Sequence, residues 1–235
     1  GASVRDMAVG FAAIANNGVY REGRTFTKVY DDDGNLVLDN TQESHTVYSN
    51  KTANYMHYCL SDAANFGTGT EARIDGQYIY GKTGTTSSNK DRWFCGYTGY
   101  YSAAVWCGYD QPEVINMAYG AGNNPSAILW RRVLTPLHKG LPRKSLTDYS
   151  GMVTVTMCLD SGMLATAACR KDARQLERTS SPLVYPEDMP TETCDKHVLV
   201  DYCSGGGVAT DACRNAGASI TKRSLVKMTQ SEIDE

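Results

Sequence analysis

The chain has 235 residues, 41% of them apolar and 21% charged, with a net charge of −3. That length can bury one good core plus a smaller module. The acidic balance argues against a nucleic-acid surface, and the longest apolar stretch, Met7 to Ala15, is far short of the ~20 residues that span a bilayer.

Ser3 opens the first predicted helix, in a capping-box pattern with Asp6 replacing the usual Glu. Val4, Met7, Ala8, Phe11, Ile14 and Ala15 recur at helical spacing and read as a core face, and Asn16-Asn17-Gly18 stops the helix. Thr25 to Asp31 and Leu36 to Asp39 flank Asp32-Asp33-Gly34-Asn35, a hairpin signal. A second helix is predicted from about Lys51 to Asn65, capped by Ser49 or Asn50 and ended by Gly67-Thr68-Gly69-Thr70. Three strands follow at about 77–83, 92–101 and 103–109, rich in aromatic and β-branched residues that read as sheet core. Asn124-Pro125 starts a third helix, with Pro136 expected to bend or shorten its last turn.

Lys82-Thr83-Gly84-Thr85-Thr86 sits on the first of those strands and leads into Asn89-Lys90-Asp91-Arg92-Trp93-Phe94-Cys95-Gly96-Tyr97-Thr98. Reaction at a peptide carbonyl needs a nucleophile, a base and donors aimed at the developing oxyanion. Lys82 can supply a fixed positive charge, and Thr83 and Thr85 can supply hydroxyl donors. Gly84 has no Cβ, so a substrate backbone can approach the strand. A strand edge suits this task because an extended peptide can add to it. Ser87-Ser88-Asn89-Lys90 fits both S-x-x-K and S-x-N, but it lies in the turn after the Lys82 strand and is too close in sequence to face that strand. No G-x-S-x-G elbow is present, so a triad hydrolase has no visible nucleophile.

K-T-G is one of three motifs shared by penicillin-binding proteins and serine β-lactamases. The longer run K-T-G-T-T-x-x-N-K-D-x-W-F-x-G-Y-T resembles the transpeptidase domain of a class A, bifunctional penicillin-binding protein. A β-lactamase fits less well, since that family lacks this run and the tail described below. The resemblance implies that Lys82 stands between the S-x-N serine and the substrate. Thr83 and Thr85 would hold the substrate carboxylate, and the Thr85 N–H would complete the oxyanion hole. The catalytic candidates are therefore Lys82 and Thr85, and the substrate-binding candidates Thr83, Gly84 and Thr85. The nucleophile and S-x-N motifs are expected upstream of Gly1, leaving this stretch inactive alone. The expected fold is α+β, an antiparallel sheet flanked by helices without the helical subdomain that carries the nucleophile.

After about Asp148 the composition changes and a repeat appears. Residues 1–148 read as the C-terminal half of a transpeptidase domain and 149–235 as a small β tail. The copies run from Val155 to Cys169 and from Val200 to Cys213, each a strand ending in Cys, a Gly turn and an apolar-A-T-x-A-C return. The favoured pairing is Cys158–Cys169 and Cys203–Cys213 as disulfides, each worth on the order of 2–3 kcal/mol. Free thiols come next. Zinc is third, because Cys194-x-x-His197 is suggestive but no second close pair faces it, so no metal and no cofactor are expected. Cys95 and Cys107 could face each other across a hairpin, or, like Cys59, be buried small apolar residues.

These features imply a D,D-transpeptidase whose partners are a peptidoglycan stem peptide ending in D-Ala-D-Ala and β-lactams, acting at the extracytoplasmic face of a bacterial membrane through an anchor outside this stretch. The rival reading is a non-catalytic module that binds cell-wall polymer or a partner protein.

Overall fold

The computed structural model describes residues 1–115, 124–171 and 177–228. The chain divides into two compact units, Gly1–Asp148 and Tyr149–Glu235.

In the first unit α1 spans Val4–Ala15, and the Ser3 side chain accepts a hydrogen bond from the Asp6 N–H at its start. It ends where Asn17 and Gly18 take φ of 54° and 86°, conformations that Asn and Gly adopt most readily. A Cβ at Gly18 would fall 2.2 Å from the Tyr48 carbonyl oxygen, so no other residue fits there. This close approach lets Val47 and Tyr48 donate to the Gly18 carbonyl and joins β1 (Val19–Arg21) to β4 (Ser44–Thr46), a pair absent from the sequence reading. Between them β2 (Lys28–Tyr30) and β3 (Leu36–Asp39) form the expected hairpin, with its first strand shorter than predicted. The Asp31 carboxylate accepts from the Asp33 and Asn35 N–H groups and organises the turn.

The site rests on a three-stranded antiparallel sheet in the order β5-β6-β7, with β5 (Tyr80–Thr85) at the edge, β6 (Asp91–Tyr97) in the centre and β7 at Ser102–Gly108. β5 starts later than predicted because residues 77 and 78 contact the segment at 141–143. The Gln77 amide donates to the Leu141 carbonyl, and the Arg143 guanidinium lies 3.8 Å over the Tyr78 ring. β6 ends early because the Thr98 hydroxyl accepts from the Tyr100 and Tyr101 N–H groups and turns the chain. Cys95 pairs with Ala104 and Cys107 with Arg92, so the two cysteines do not face each other. Cys95 is buried, Cys107 half-buried and Cys59 exposed. Burial pushes the Cys95 thiol up to about 11.

Helices cover the sheet. α3 (Pro125–Leu137) places Trp130 edge-on to Phe94, at 5.2 Å, within a core that includes Ile74, Ile79 and Leu134. The Asn124 side chain caps its first turn and also donates to the Trp93 carbonyl at 3.2 Å, tying the helix start to β6. Asn124→Ala is expected to cost about 1–2 kcal/mol, read as a shift of the urea midpoint; an unchanged midpoint would contradict this cap. At the other end the buried His138 donates from Nδ1 to the Leu134 carbonyl and accepts at Nε2 from the Thr98 hydroxyl, both at 2.8 Å.

α2 (Asn50–Asn65), capped by Ser49, buries Ala53, Asn54, His57, Leu60 and Ala64. Cys59 lies off that stripe. His57 Nδ1 is 2.8 Å from the Tyr97 hydroxyl, while Nε2 has no partner among the described residues. Burial pushes the His57 pKa down to about 4. An unfolded histidine titrates near 6.5, so His57 stabilises the fold fully above that pH. That contribution fades as pH falls from 6.5 towards 4, a loss on the order of 3 kcal/mol. Urea unfolding at pH 7 and pH 4 measures it, and a His57→Gln chain should show a shallower dependence. An equal slope in both chains would exclude His57 as the cause.

The second unit is built of short antiparallel ribbons: β8 (Val153–Thr154) with β11 (Leu183–Val184), β9 (Met157–Cys158) with β10 (Thr179–Ser180), and β12 (His197–Cys203) with β13 (Ile220–Val226). In both repeats the first Cys ends a strand, as expected. The second Cys does not lie on an extended return. Cys169 opens a 3-10 turn, and Cys213 sits in α4 (Asp211–Asn215). The cause is the Thr three residues earlier. The Thr210 side chain accepts from the Cys213 N–H as a helix cap, and Cys169 N–H donates to the Thr166 carbonyl. All eight cysteines are free thiols in the structure.

Candidate active site

Lys82 to Thr85 occupy the outer half of β5, with Lys82 and Thr85 exposed and Thr83 and Gly84 half-buried. The Thr86 N–H donates to the Asp91 carbonyl, and the register runs on through Thr85 opposite Arg92 to Tyr80 opposite Tyr97. Antiparallel pairs alternate between bonded and non-bonded. With 86 and 91 bonded, the N–H groups of Thr83 and Thr85 point away from β6, towards the free edge. Hydroxyls and amides therefore line one accessible strip.

The Lys82 ammonium donates to the Thr83 carbonyl at 3.0 Å and lies 3.5 Å from the Thr83 hydroxyl. A groove of about 360 Å³ opens beside it, lined by Lys82, Thr83, Gly84, Trp93 and Cys95 of the sheet and by Ala2, Met7 and Phe11. A Cβ on Gly84 would stand 3.1 Å from Trp93 Cβ, so this glycine also makes room for the indole. A larger cleft of about 560 Å³ lies between 73–75 and the end of α3, but none of the K-T-G residues line it. The smaller groove is the chemically equipped one.

Two groups join this edge: Thr68, from the G-T-G-T turn that the family resemblance sets at a wall of the cleft, and Arg92, which the sequence reading had not assigned to it. Thr68 brings its hydroxyl within 2.6 Å of the Thr83 hydroxyl, so the G-T-G-T turn contacts the strand directly. Arg92 donates to the Thr85 hydroxyl at 3.0 Å and to Asn89 at 3.2 Å. The edge thus carries two positive charges, Lys82 and Arg92, on either side of Thr83 and Thr85. The register of the β5–β6 hairpin would have pointed to Arg92, while Thr68 lies in the G-T-G-T pattern that precedes the K-T-G strand.

The S-x-x-K at Ser87–Lys90 forms the β5–β6 turn, where the Thr86 hydroxyl accepts from the Lys90 and Asp91 N–H groups. Two more matches, Ser219–Lys222 and Ser224–Lys227, escaped the sequence reading. They run along β13, where residues three apart face opposite sides of the ribbon. None of the three presents a serine and lysine together from the start of a helix.

A family profile described as the penicillin binding protein transpeptidase domain matches residues 2–126, more than half of the chain. The chain belongs to the penicillin-binding protein transpeptidase family. A second profile, the penicillin-binding protein 1A C-terminal domain, matches residues 148–199. Penicillin-binding protein 1A of Clostridium perfringens (strain ATCC 13124) is 33% identical over 198 residues, which cover 84% of this chain and 23% of that protein. Penicillin-binding protein 1A of Clostridium novyi is 32% identical, covering 99% of this chain and 26% of its own length. The chain therefore spans about a quarter of these relatives. Among solved structures, penicillin-binding protein 1A from Haemophilus influenzae shares the fold, with a TM-score of 0.64 at 17% identity over 82% of this chain and 33% of that one. The penicillin-binding protein PonA1 from Mycobacterium tuberculosis aligns with a TM-score of 0.51 at 28% identity, covering 60% of this chain and 40% of that one. The transpeptidase-family fold thus carries the α+β expectation through.

Proposed function

We propose that residues 1–148 form the K-T-G side of a serine D,D-transpeptidase site in a class A penicillin-binding protein, with 149–235 as its C-terminal module. The supporting observation is the free edge of β5, where the Lys82 ammonium and Thr83 border an open groove and the exposed Thr85 continues the same strand with outward-facing amides. A stem peptide ending in D-Ala-D-Ala would lie along this edge in extended form, its terminal carboxylate held by the Thr83 and Thr85 hydroxyls between Lys82 and Arg92. The Thr85 N–H would meet the carbonyl oxygen as it gains charge. Gly84 would let the peptide approach. Lys82 would assist proton transfer between the S-x-N serine and the substrate. A serine on a separate helix would attack, release D-Ala and pass the acyl group to a neighbouring stem peptide, and β-lactams would trap that same serine.

No helix among the described residues is long and apolar enough to cross a membrane. The proposed place of action is the extracytoplasmic face of the cell membrane, where peptidoglycan is cross-linked. The rival reading, a non-catalytic binding module, finds no specific support in the fold or in the relatives.

Mass spectrometry after penicillin treatment tests the reading. The 235-residue chain is expected to gain no acyl mass. The same residues within a protein that presents an S-x-x-K serine to β5 are expected to be acylated at that serine. Acylation of Ser87, Ser219 or Ser224 in the 235-residue chain would overturn it.

A further inference from the structure

The second unit has one buried apolar cluster among its described residues, and that cluster consists of sulfur: Cys158, Cys169 and Cys194, with Ala165 against them. His197 is buried beside them. The three thiols and the imidazole offer ligand atoms that all lie within 4.8 Å of one another. We propose that Cys158, Cys169, Cys194 and His197 bind one zinc ion as a structural Cys3His site that holds this module together.

The distances fit. Zinc takes Cys sulfur at about 2.3 Å and His nitrogen at about 2.0–2.1 Å in a tetrahedron, which puts sulfur and nitrogen about 3.5 Å apart. His197 Nδ1 stands 3.4 Å from Cys158 Sγ and 3.5 Å from Cys194 Sγ. The other ring nitrogen, Nε2, is 3.2 Å from Asp160 Oδ2, and Arg178 grips both oxygens of that carboxylate at 3.1 and 2.5 Å. A carboxylate that holds the far nitrogen of a ligating histidine fixes its tautomer, so that the near lone pair faces the metal. Backbone amides also point at the sulfurs: Asp160 N–H at Cys158 (3.4 Å) and Thr166 N–H at Cys169 (3.3 Å). Such donors stabilise thiolate.

A Cys158–Cys169 disulfide explains less. It needs two sulfurs and gives no reason for a third thiol and an oriented imidazole to converge on the same point. The other repeat makes the contrast: Cys203 and Cys213 also approach each other, but no Cys-x-x-His joins them. Zinc at the first pair would tie three segments, the end of β9, the 3-10 turn at Cys169–Lys171 and the start of β12, in a module with little other core. Binding would release the thiol protons to solvent, with no change of oxidation state.

The full 235-residue chain, purified under reducing conditions, is expected to contain one tightly held zinc by elemental analysis. Replacement with cobalt(II) should give the intense visible bands of a tetrahedral, thiolate-rich site. Cys194→Ser should lose the bands or reduce metal affinity at least tenfold. His197→Cys should keep the metal and shift the bands towards those of a four-sulfur site, while Cys203→Ser/Cys213→Ser should leave metal content unchanged. Three results would each overturn the proposal: reduced wild-type chain that retains no zinc and gives no tetrahedral cobalt spectrum, metal binding unaffected by Cys194→Ser, or a Cys158–Cys169 disulfide in chain isolated without oxidant.

Discussion

Lys82→Ala, made in a longer protein that holds these residues together with their serine, is expected to slow β-lactam acylation by about 10²–10³-fold, the usual cost of removing one preorganised charge or donor from an acyl-transfer site. Lys82 is exposed, and among the described residues its ammonium bonds only within the strand, to Thr83. Its loss should therefore leave the unfolding midpoint within about 0.5 kcal/mol of the parent. Lys82→Arg is a sharper control. It keeps the charge but replaces a compact ammonium with a planar fork, so it should recover only part of the rate. Thr85→Val removes a hydroxyl that now accepts from Arg92 and should weaken recognition of the carboxylate more than it alters folding. Acylation rates measured against penicillin concentration separate these effects. Wild-type acylation by Lys82→Ala would remove Lys82 from the mechanism.

Trp130→Ala is expected to destabilise the first unit by about 3–5 kcal/mol, a large part of the 5–15 kcal/mol typical of a whole domain. Trp130 is completely buried, packs edge-on to Phe94 and donates from its indole to the Ala103 carbonyl at 3.1 Å. The alanine variant leaves a cavity beneath the sheet and removes the indole hydrogen bond to β7. Phe94 pairs with Thr83 across β5 and β6, so the damage should reach the K-T-G strand. Trp130→Phe refills most of the volume and should cost only about 1–2 kcal/mol, chiefly the lost hydrogen bond. Urea denaturation followed by near-ultraviolet circular dichroism distinguishes the two variants. Equal midpoints would show that Trp130 is not the centre of this core.

The parts legible from sequence were those set by neighbours a few residues apart. Ser3, Ser49 and Asn124 cap helices at the expected places because a cap is an i to i+2 or i+3 hydrogen bond. The K-T-G strand was marked by its own alternation and flanking run, and Gly18 by the need for a positive φ. Strand ends were less legible. Those of β5 and β6 depend on Gln77, Tyr78 and Thr98, whose partners come from Leu141, Arg143 and His138.

Local sequence determined the helices, the K-T-G edge and the repeated Cys pattern of the tail. Tertiary structure alone decided that the Thr68 hydroxyl meets Thr83, that the Arg92 guanidinium bonds Thr85 and that His57 is sealed against Tyr97. It also decided that the Cys158 and Cys169 thiols meet Cys194 and His197. These are contacts between groups far apart in sequence or set by strand register. They follow from how loops close and sheets pair, which no short window of residues encodes.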